Sequence, residues 1–146
     1  MATRSTISIK EGNKVRTVYC HWDGYLTGVG QKLLDHYSKP KKVRKLIALG
    51  SISSLQRKVK SKKTDEYIHT FDSPNFEVTV AYHRDRGEDL EISEMELPKG
   101  KKYDSCLAEG FEYLYDVENK KWMVKTNYKG YWKELTQRKI NAEKDY

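Results

Sequence analysis

The sequence has little of what marks membrane, secreted and zinc-binding proteins. It contains two cysteines, Cys20 and Cys106, and three prolines, and its apolar runs are all short. Two cysteines without metal-ligand spacing argue against a disulfide scaffold and a zinc finger. The short apolar runs predict no membrane span, and no apolar signal core opens the chain, so secretion is not expected. The length of 146 residues predicts a single domain over residues 1–146, and the two cysteines fit a reducing cytoplasm.

The sequence is rich in charged and aromatic residues. Charged residues make up 34% of the chain and aromatic residues 12%, with eleven tyrosines and three tryptophans. The charged share is above that of typical globular chains. The aromatic residues nevertheless supply enough apolar surface for one compact core, so a fully disordered chain is excluded.

The charge is concentrated in two blocks. Residues 39–63 hold ten bases and no acid, and this surplus exceeds the net charge of +7 of the whole chain. Residues 85–96 hold six acids and one base, Arg86. A basic block of this kind can recruit a polyanion or a phosphate-bearing ligand. The alternative is that both blocks are solvated faces that pair with each other within the fold.

Periodicity in the first half predicts a hairpin and then two helices. Residues 5–21 alternate polar and apolar around a turn at residues 11–13, which is typical of a β-hairpin. Residues 27–37 place apolar side chains at helical spacing. Pro40 begins a second helix, for which Gly50 is well placed as the C-terminal cap. Residues 57–65 are predicted to be an exposed loop.

The second half is predicted to be mainly β-structure. Residues 76–82 alternate as a strand, residues 90–97 as a charged edge strand, and residues 111–125 as an aromatic-rich hairpin. A short helix follows around Leu135 and Ile140. The predicted fold class is α+β, with an antiparallel sheet and two or three helices packed on one of its faces.

A histidine stands two residues before an aspartate at two predicted strand ends, as His21 with Asp23 and His83 with Asp85. Side chains two apart on a strand share a face. If the two strands are neighbours, the four groups converge as a metal site or as histidine bases oriented by carboxylates. The simpler interpretation is that each aspartate caps a turn and each histidine is a hydrogen-bonded rim residue. No metal ion and no cofactor are assigned.

Other candidate motifs are weaker. Cys20 and His21 are adjacent on a strand and point to opposite faces, which predicts a core cysteine rather than a nucleophile. The glycines at 28 and 30 are not followed by the Gly-Lys-Ser/Thr of a phosphate loop. The aromatic residues can stack on bases, as in single-strand binders, although their strand-like spacing also suits core packing.

Four stretches together resemble small accessory proteins encoded by tailed bacteriophages. They are residues 2–7 (ATRSTI), 19–25 (YCHWDGY), 46–55 (LIALGSISSL) and 81–88 (AYHRDRGE). The resemblance covers most of the chain up to residue 88 and is weaker in the hairpin at 111–124. It implies action in the cytoplasm of an infected bacterium, in host takeover or counter-defence, and it carries no catalytic roles.

The expected function is therefore a non-catalytic binding protein, whose partner is an anionic ligand (a nucleotide or nucleic acid) or a host protein. No membrane partner is expected, and a homo-oligomer is left open. The candidate ligand-binding residues are Arg4, His21, Trp22, Tyr25, Lys41, Lys42, Lys45, His83, Arg84 and Arg86. One alternative is a small hydrolase or nuclease acting on phosphodiesters through His21, Asp23, His83 and Asp85. The other is a phage structural or assembly protein.

Overall fold

A computed structural model describes residues 3–59, 77–98, 110–126 and 132–144. Eight strands and four α-helices lie in these ranges. The strands are β1 (Ser5–Glu11), β2 (Lys14–Cys20), β3 (Ile52–Ser54), β4 (Val80–Ala81), β5 (Ser93–Glu96), β6 (Phe111–Asp116), β7 (Lys121–Lys125) and β8 (Lys133–Glu134). The helices are α1 (Gln31–His36), α2 (Pro40–Ala48), α3 (Tyr82–Arg86) and α4 (Gln137–Lys144), and a π-helix (Leu26–Gly30) leads into α1.

The strands form one mixed sheet in the order β4-β3-β2-β1-β6-β7-β8, and β5 pairs with β2 beside β3. Both predicted hairpins, β1–β2 and β6–β7, are present and antiparallel. Two pairings are parallel, β1 with β6 and β2 with β3. The predicted α+β class is confirmed, and the sheet is mostly rather than wholly antiparallel. β1 and β6 are far apart in sequence, so no turn between them predicts their pairing.

The helices α1, α2 and α4 pack on one face of the sheet. Strand side chains of that face, such as Ile7, Val18 and Tyr113, join Leu46 of α2 and Ile140 of α4 in one core cluster. Pro40 is at the start of α2, and Gly50 follows it with a positive φ of 76°, as the sequence predicted. The other face carries a smaller cluster built on Val15, Leu97 and Leu114.

The strand predicted over residues 76–82 is present only in part, and Val78 forms an isolated bridge with Lys58. β4 contains Val80 and Ala81 alone, and Tyr82 already begins α3. The Asp85 carboxylate accepts the Ala81 N–H at 2.8 Å, as a capping residue does, and this favours a helical turn over continued strand. Residue 76 lies outside the described ranges.

The remaining predictions are met in part. The acidic segment 90–97 contains the exposed strand β5, which pairs with β2 alone among the described strands. The predicted loop at residues 57–65 lies outside the described ranges after residue 59, and so does Cys106. No helix in the described ranges is long and apolar enough to cross a bilayer.

Candidate binding site

The two His-x-Asp motifs leave the sheet in different directions. Cys20 of β2 and Ala81 of β4 both pair with Ile52 of β3, so one strand separates the two ends, by about 10 Å between backbones. The chain after Cys20 continues along β3, with the Trp22 N–H donating to the Ser53 carbonyl, whereas the Tyr82 N–H donates to Ser51. In the described ranges, no group of three or more His, Cys, Asp or Glu side chains has the geometry to hold a metal ion.

Within each motif the two side chains bind different partners. The His21 Nδ1 lies 2.6 Å from the Tyr19 hydroxyl. Asp23 accepts from the Tyr25 hydroxyl at 3.0 Å and has a positive φ of 58°, which ends the strand alternation. His83 and Asp85 lie on α3, where residues two apart point to different sides, and His83 Nδ1 lies 2.8 Å from the Glu88 carbonyl. The expectation of a shared face is wrong for His83 and Asp85, because α3 replaces the strand.

The Arg84 side chain is used mainly for hydrogen bonds within the protein. Its guanidinium donates to the carbonyls of Val59 and Thr79 at 2.6 and 2.7 Å and to both oxygens of Asp85. Four hydrogen bonds to the protein leave one of its five N–H groups for any ligand. The group holds β4, α3 and the segment after β3 together.

The predicted lysines of α2 lie in the helix layer. The Lys42 ammonium is 4.4 Å from the centre of the Tyr37 ring and donates to the Arg57 carbonyl at 2.7 Å. Burial and then the charge of Arg57 lower the pKa of Lys42. Lys41 and Lys45 are exposed.

The two charge blocks do not pair with each other within the described ranges. Arg44 binds Glu11, and Arg57 and Lys58 bind Glu77. From the acidic block, Asp85 binds Arg84 and Glu94 binds Lys14. For residues 39–59 of the basic block, the acids in these ion pairs come from outside the acidic block.

Cys20 is a core residue, as the sequence predicted. Its side chain is fully buried, and burial raises the pKa of its thiol to about 12. A thiol of this kind is protonated at neutral pH and is a poor nucleophile.

Residues 21–25, which we call the aromatic loop, are fixed by main-chain hydrogen bonds on both sides. On one side the amides of His21 and Trp22 donate to β3 at 3.1 and 3.0 Å. On the other, the Gly24 N–H donates to the Thr3 carbonyl at 2.8 Å. From below, the buried Tyr113 hydroxyl donates to the Gly24 carbonyl at 2.7 Å.

Glycines allow the close packing that this anchoring needs. A side chain at Gly24 would come within 2.8 Å of the carbonyls of Thr3 and Arg4. At Gly28 of the π-helix, a β-carbon would lie 2.2 Å from the Asp23 carbonyl, which itself accepts the Val29 N–H. No side chain fits at these distances, so the loop depends on both glycines.

The aromatic loop presents large side chains to solvent. Trp22 is 46% exposed and Tyr25 is 37% exposed, although both are attached to a fixed backbone. The His21 ring packs edge-to-face against Trp22, with centroids 4.7 Å apart. Rigid, exposed Trp and Tyr side chains provide contact area with little loss of conformational entropy on binding.

Two arginines lie near tyrosines outside the loop, Arg4 near Tyr19 and Arg86 near Tyr82. Arg4 precedes Ser5, which pairs with Cys20, and His21 follows Cys20, so Arg4 and His21 lie at the same end of the β1–β2 ladder. Burial raises the pKa of Tyr19, and the nearby charge of Arg4 opposes that rise. On α3, the Arg86 guanidinium lies over the Tyr82 ring, 5.2 Å from its centre.

The structure thus brings together part of the predicted set. Arg4 and His21 lie at the same end of the β1–β2 ladder, and Trp22 and Tyr25 follow His21 in the aromatic loop. Tyr19 and His21 alternate along the chain with Val18 and Cys20, whose side chains join the helix layer. Tyr19 was missed as a site residue, because its alternation in β2 signalled only strand packing.

Comparison with known protein families, curated proteins and solved structures found no match for this chain. The site is therefore interpreted from its own residues.

Proposed function

We propose that this chain is a non-catalytic binding protein that recognises single-stranded nucleic acid or a nucleotide through the aromatic loop. The observation that carries the proposal is the combination of a fixed backbone with the exposed rings of Trp22 and Tyr25. Aromatic side chains held in this way stack on bases with little sequence preference. Arg4 and His21 provide the adjacent donors for phosphate oxygens.

The cellular setting is part of the same proposal. The resemblance to tailed-bacteriophage accessory proteins supports action in the cytoplasm of an infected bacterium, in host takeover or counter-defence. A binding role needs no metal or paired acid and base, which agrees with the separate positions of the two His-x-Asp motifs.

Binding is tested by fluorescence anisotropy with a fluorescein-labelled twelve-residue oligothymidylate and its RNA counterpart. We expect Trp22→Ala to weaken binding about tenfold, because one stacked base contributes roughly 1–3 kcal/mol. Arg4→Ala should lower the slope of log affinity against log salt by about one, because one phosphate contact is lost. Met95→Ala is the matched control, since Met95 is 44% exposed on β5, outside the loop.

The double variant Lys41→Glu/Lys45→Glu tests whether the ligand binds the aromatic loop or the basic helix α2. The proposal predicts that its affinity falls far less than that of Trp22→Ala at physiological salt. Loss of binding in the lysine variant with none in Trp22→Ala would place the ligand on α2 and contradict the proposal. Absence of oligonucleotide binding by the wild-type protein would also contradict it, and would direct the search to a host protein.

A further inference from the structure

A cleft opens where β2 changes its neighbour. β5 pairs with residues 14–17 of β2, and β3 pairs with Cys20, so Tyr19 lies between the two pairings. The segment from α3 to β5 spans this split in the sheet. The resulting cleft has a volume of about 480 Å³. Its lining residues are Tyr19, Ser51, Tyr82, Gly87, Glu88, Asp89 and Glu91.

The lining of the cleft combines aromatic and acidic residues. It includes two tyrosines, Tyr19 and Tyr82, and three residues with carboxylates, Glu88, Asp89 and Glu91, which we call the acidic wall. Among the described residues, none of these three carboxylates forms an ion pair, although the chain as a whole has more bases than acids.

Contacts with α3 and with Gly50 hold the acidic wall in place. The Glu88 N–H donates to the Tyr82 carbonyl at 3.1 Å, and the Glu88 carbonyl is 2.8 Å from His83 Nδ1. Gly50 packs so closely that a β-carbon there would lie 2.8 Å from Leu90 Cδ1 and 3.1 Å from the Glu91 carbonyl. These contacts tie the wall to α3 and to the end of α2, so the cleft is formed before any ligand arrives.

We propose that this cleft binds the guanidinium or alkylammonium group of a cationic ligand. A cation between aromatic rings and carboxylates gains cation–π attraction and charge-assisted hydrogen bonds at once. The Arg86 guanidinium over Tyr82 shows that one face of this ring already accepts such a group. A bare metal ion fits less well, because the described side chains offer no cluster of three close ligands. The cleft adjoins the aromatic loop through the Tyr19 hydroxyl, which bonds to His21, but its proposed ligand is a cation and does not depend on the proposed nucleic-acid binding.

The test is a titration of the ¹⁵N-labelled full-length protein followed by NMR amide shifts. The two probes are agmatine and a capped pentapeptide with a central arginine, which distinguish a free small cation from a peptide side chain. Sodium chloride at equal ionic strength is the blank. We expect saturable shifts at Gly87, Glu88 and Asp89 with at least one probe, and no such shifts in the blank.

Two charge-matched double variants make the test specific. Glu88→Gln/Glu91→Gln removes two carboxylates from the cleft, and Glu96→Gln/Glu118→Gln removes two exposed ones elsewhere. The first should weaken probe binding about tenfold, and the second should leave it nearly unchanged. Equal weakening in both variants would show general charge attraction and overturn the proposal. Absence of saturable shifts at the cleft with either probe would overturn it as well.

Discussion

Tyr113 illustrates how one buried hydroxyl positions an exposed surface. Its ring is part of the core under the helices, and its hydroxyl donates to the Gly24 carbonyl in the middle of the aromatic loop. Burial raises the pKa of this phenol well above its ordinary value, so the group stays a hydrogen-bond donor at any physiological pH. At the residue scale, the loop that carries the exposed Trp22 and Tyr25 is therefore anchored by a buried tyrosine.

Tyr113→Phe should lower the free energy of unfolding by about 1–2 kcal/mol, because the buried Gly24 carbonyl loses its partner. The measurement is urea unfolding followed by circular dichroism. Tyr25→Phe is the matched control, since the Tyr25 hydroxyl bonds to Asp23 at the surface, and we expect it to cost less than about 0.5 kcal/mol. Equal losses in the two variants would contradict the anchoring role of Tyr113.

At the scale of elements, the C-terminal helix α4 caps the first turn of the π-helix. The Glu143 carboxylate of α4 accepts the N–H groups of Leu26 and Thr27 at 2.9 and 2.8 Å. These amides begin the π-helix and have no partner within it. An acidic side chain from more than a hundred residues away thus caps the element that follows the aromatic loop.

Glu143→Gln should destabilise the protein by about 1–2 kcal/mol, because an amide replaces one of the two accepting oxygens with a donor. Hydrogen exchange measured by mass spectrometry should show faster exchange at residues 26–30. Glu118→Gln, the same change in an exposed turn, is the control and should alter neither quantity. Unchanged protection of the π-helix in Glu143→Gln would show that the cap is dispensable.

At the scale of the whole molecule, Glu11 links the β1–β2 hairpin to the helix layer. It binds Arg16 of β2 at 2.8 Å and Arg44 of α2. Burial acts to raise the pKa of Glu11, but the hydrogen bonds and charges of Arg44 and Arg16 outweigh it, so the pKa lies below its ordinary value of 4.5. The ionised carboxylate is therefore favoured more in the folded chain than in the unfolded one.

The lowered pKa of Glu11 predicts how the contribution of this residue to stability changes with pH. The stabilisation from Glu11 is complete above the unfolded pKa near 4.5 and is lost as the pH falls through the lower folded value. Glu11→Gln should therefore cost about 1 kcal/mol at pH 7 and much less near pH 3, as measured by urea unfolding at both pH values. A cost that is the same at both values would show that charge plays no part.

Local signals in the sequence predicted the local elements. The hairpin turns, Pro40 and Gly50 each act within a few residues, so β1–β2, β6–β7 and α2 are found where expected. The parallel pairing of β1 with β6 depends on chain segments that are distant in sequence. α3 begins at Tyr82, the last residue of the predicted strand, where the Asp85 carboxylate accepts the Ala81 N–H.

The site was predictable to a similar degree. Arg4 and His21 come from two short segments that the β1–β2 ladder joins, so a correct hairpin was enough to place them at one end of the ladder. The cleft at Tyr19 was not predictable, because it arises where β3 and β5 share one edge of β2. Alternation along a strand can be read from neighbouring residues. The order of strands in a sheet cannot, because the strands that pair are often distant in sequence.

The most direct test of the proposed function is photo-crosslinking of a 4-thiouridine oligonucleotide to the wild-type protein, with the crosslinked residues identified by mass spectrometry. The aromatic loop account predicts crosslinks at Trp22 and Tyr25, and their loss when unlabelled oligonucleotide is added in excess. Competable crosslinks confined to Lys41, Lys42 and Lys45 would contradict it, because those residues belong to α2 and not to the aromatic loop.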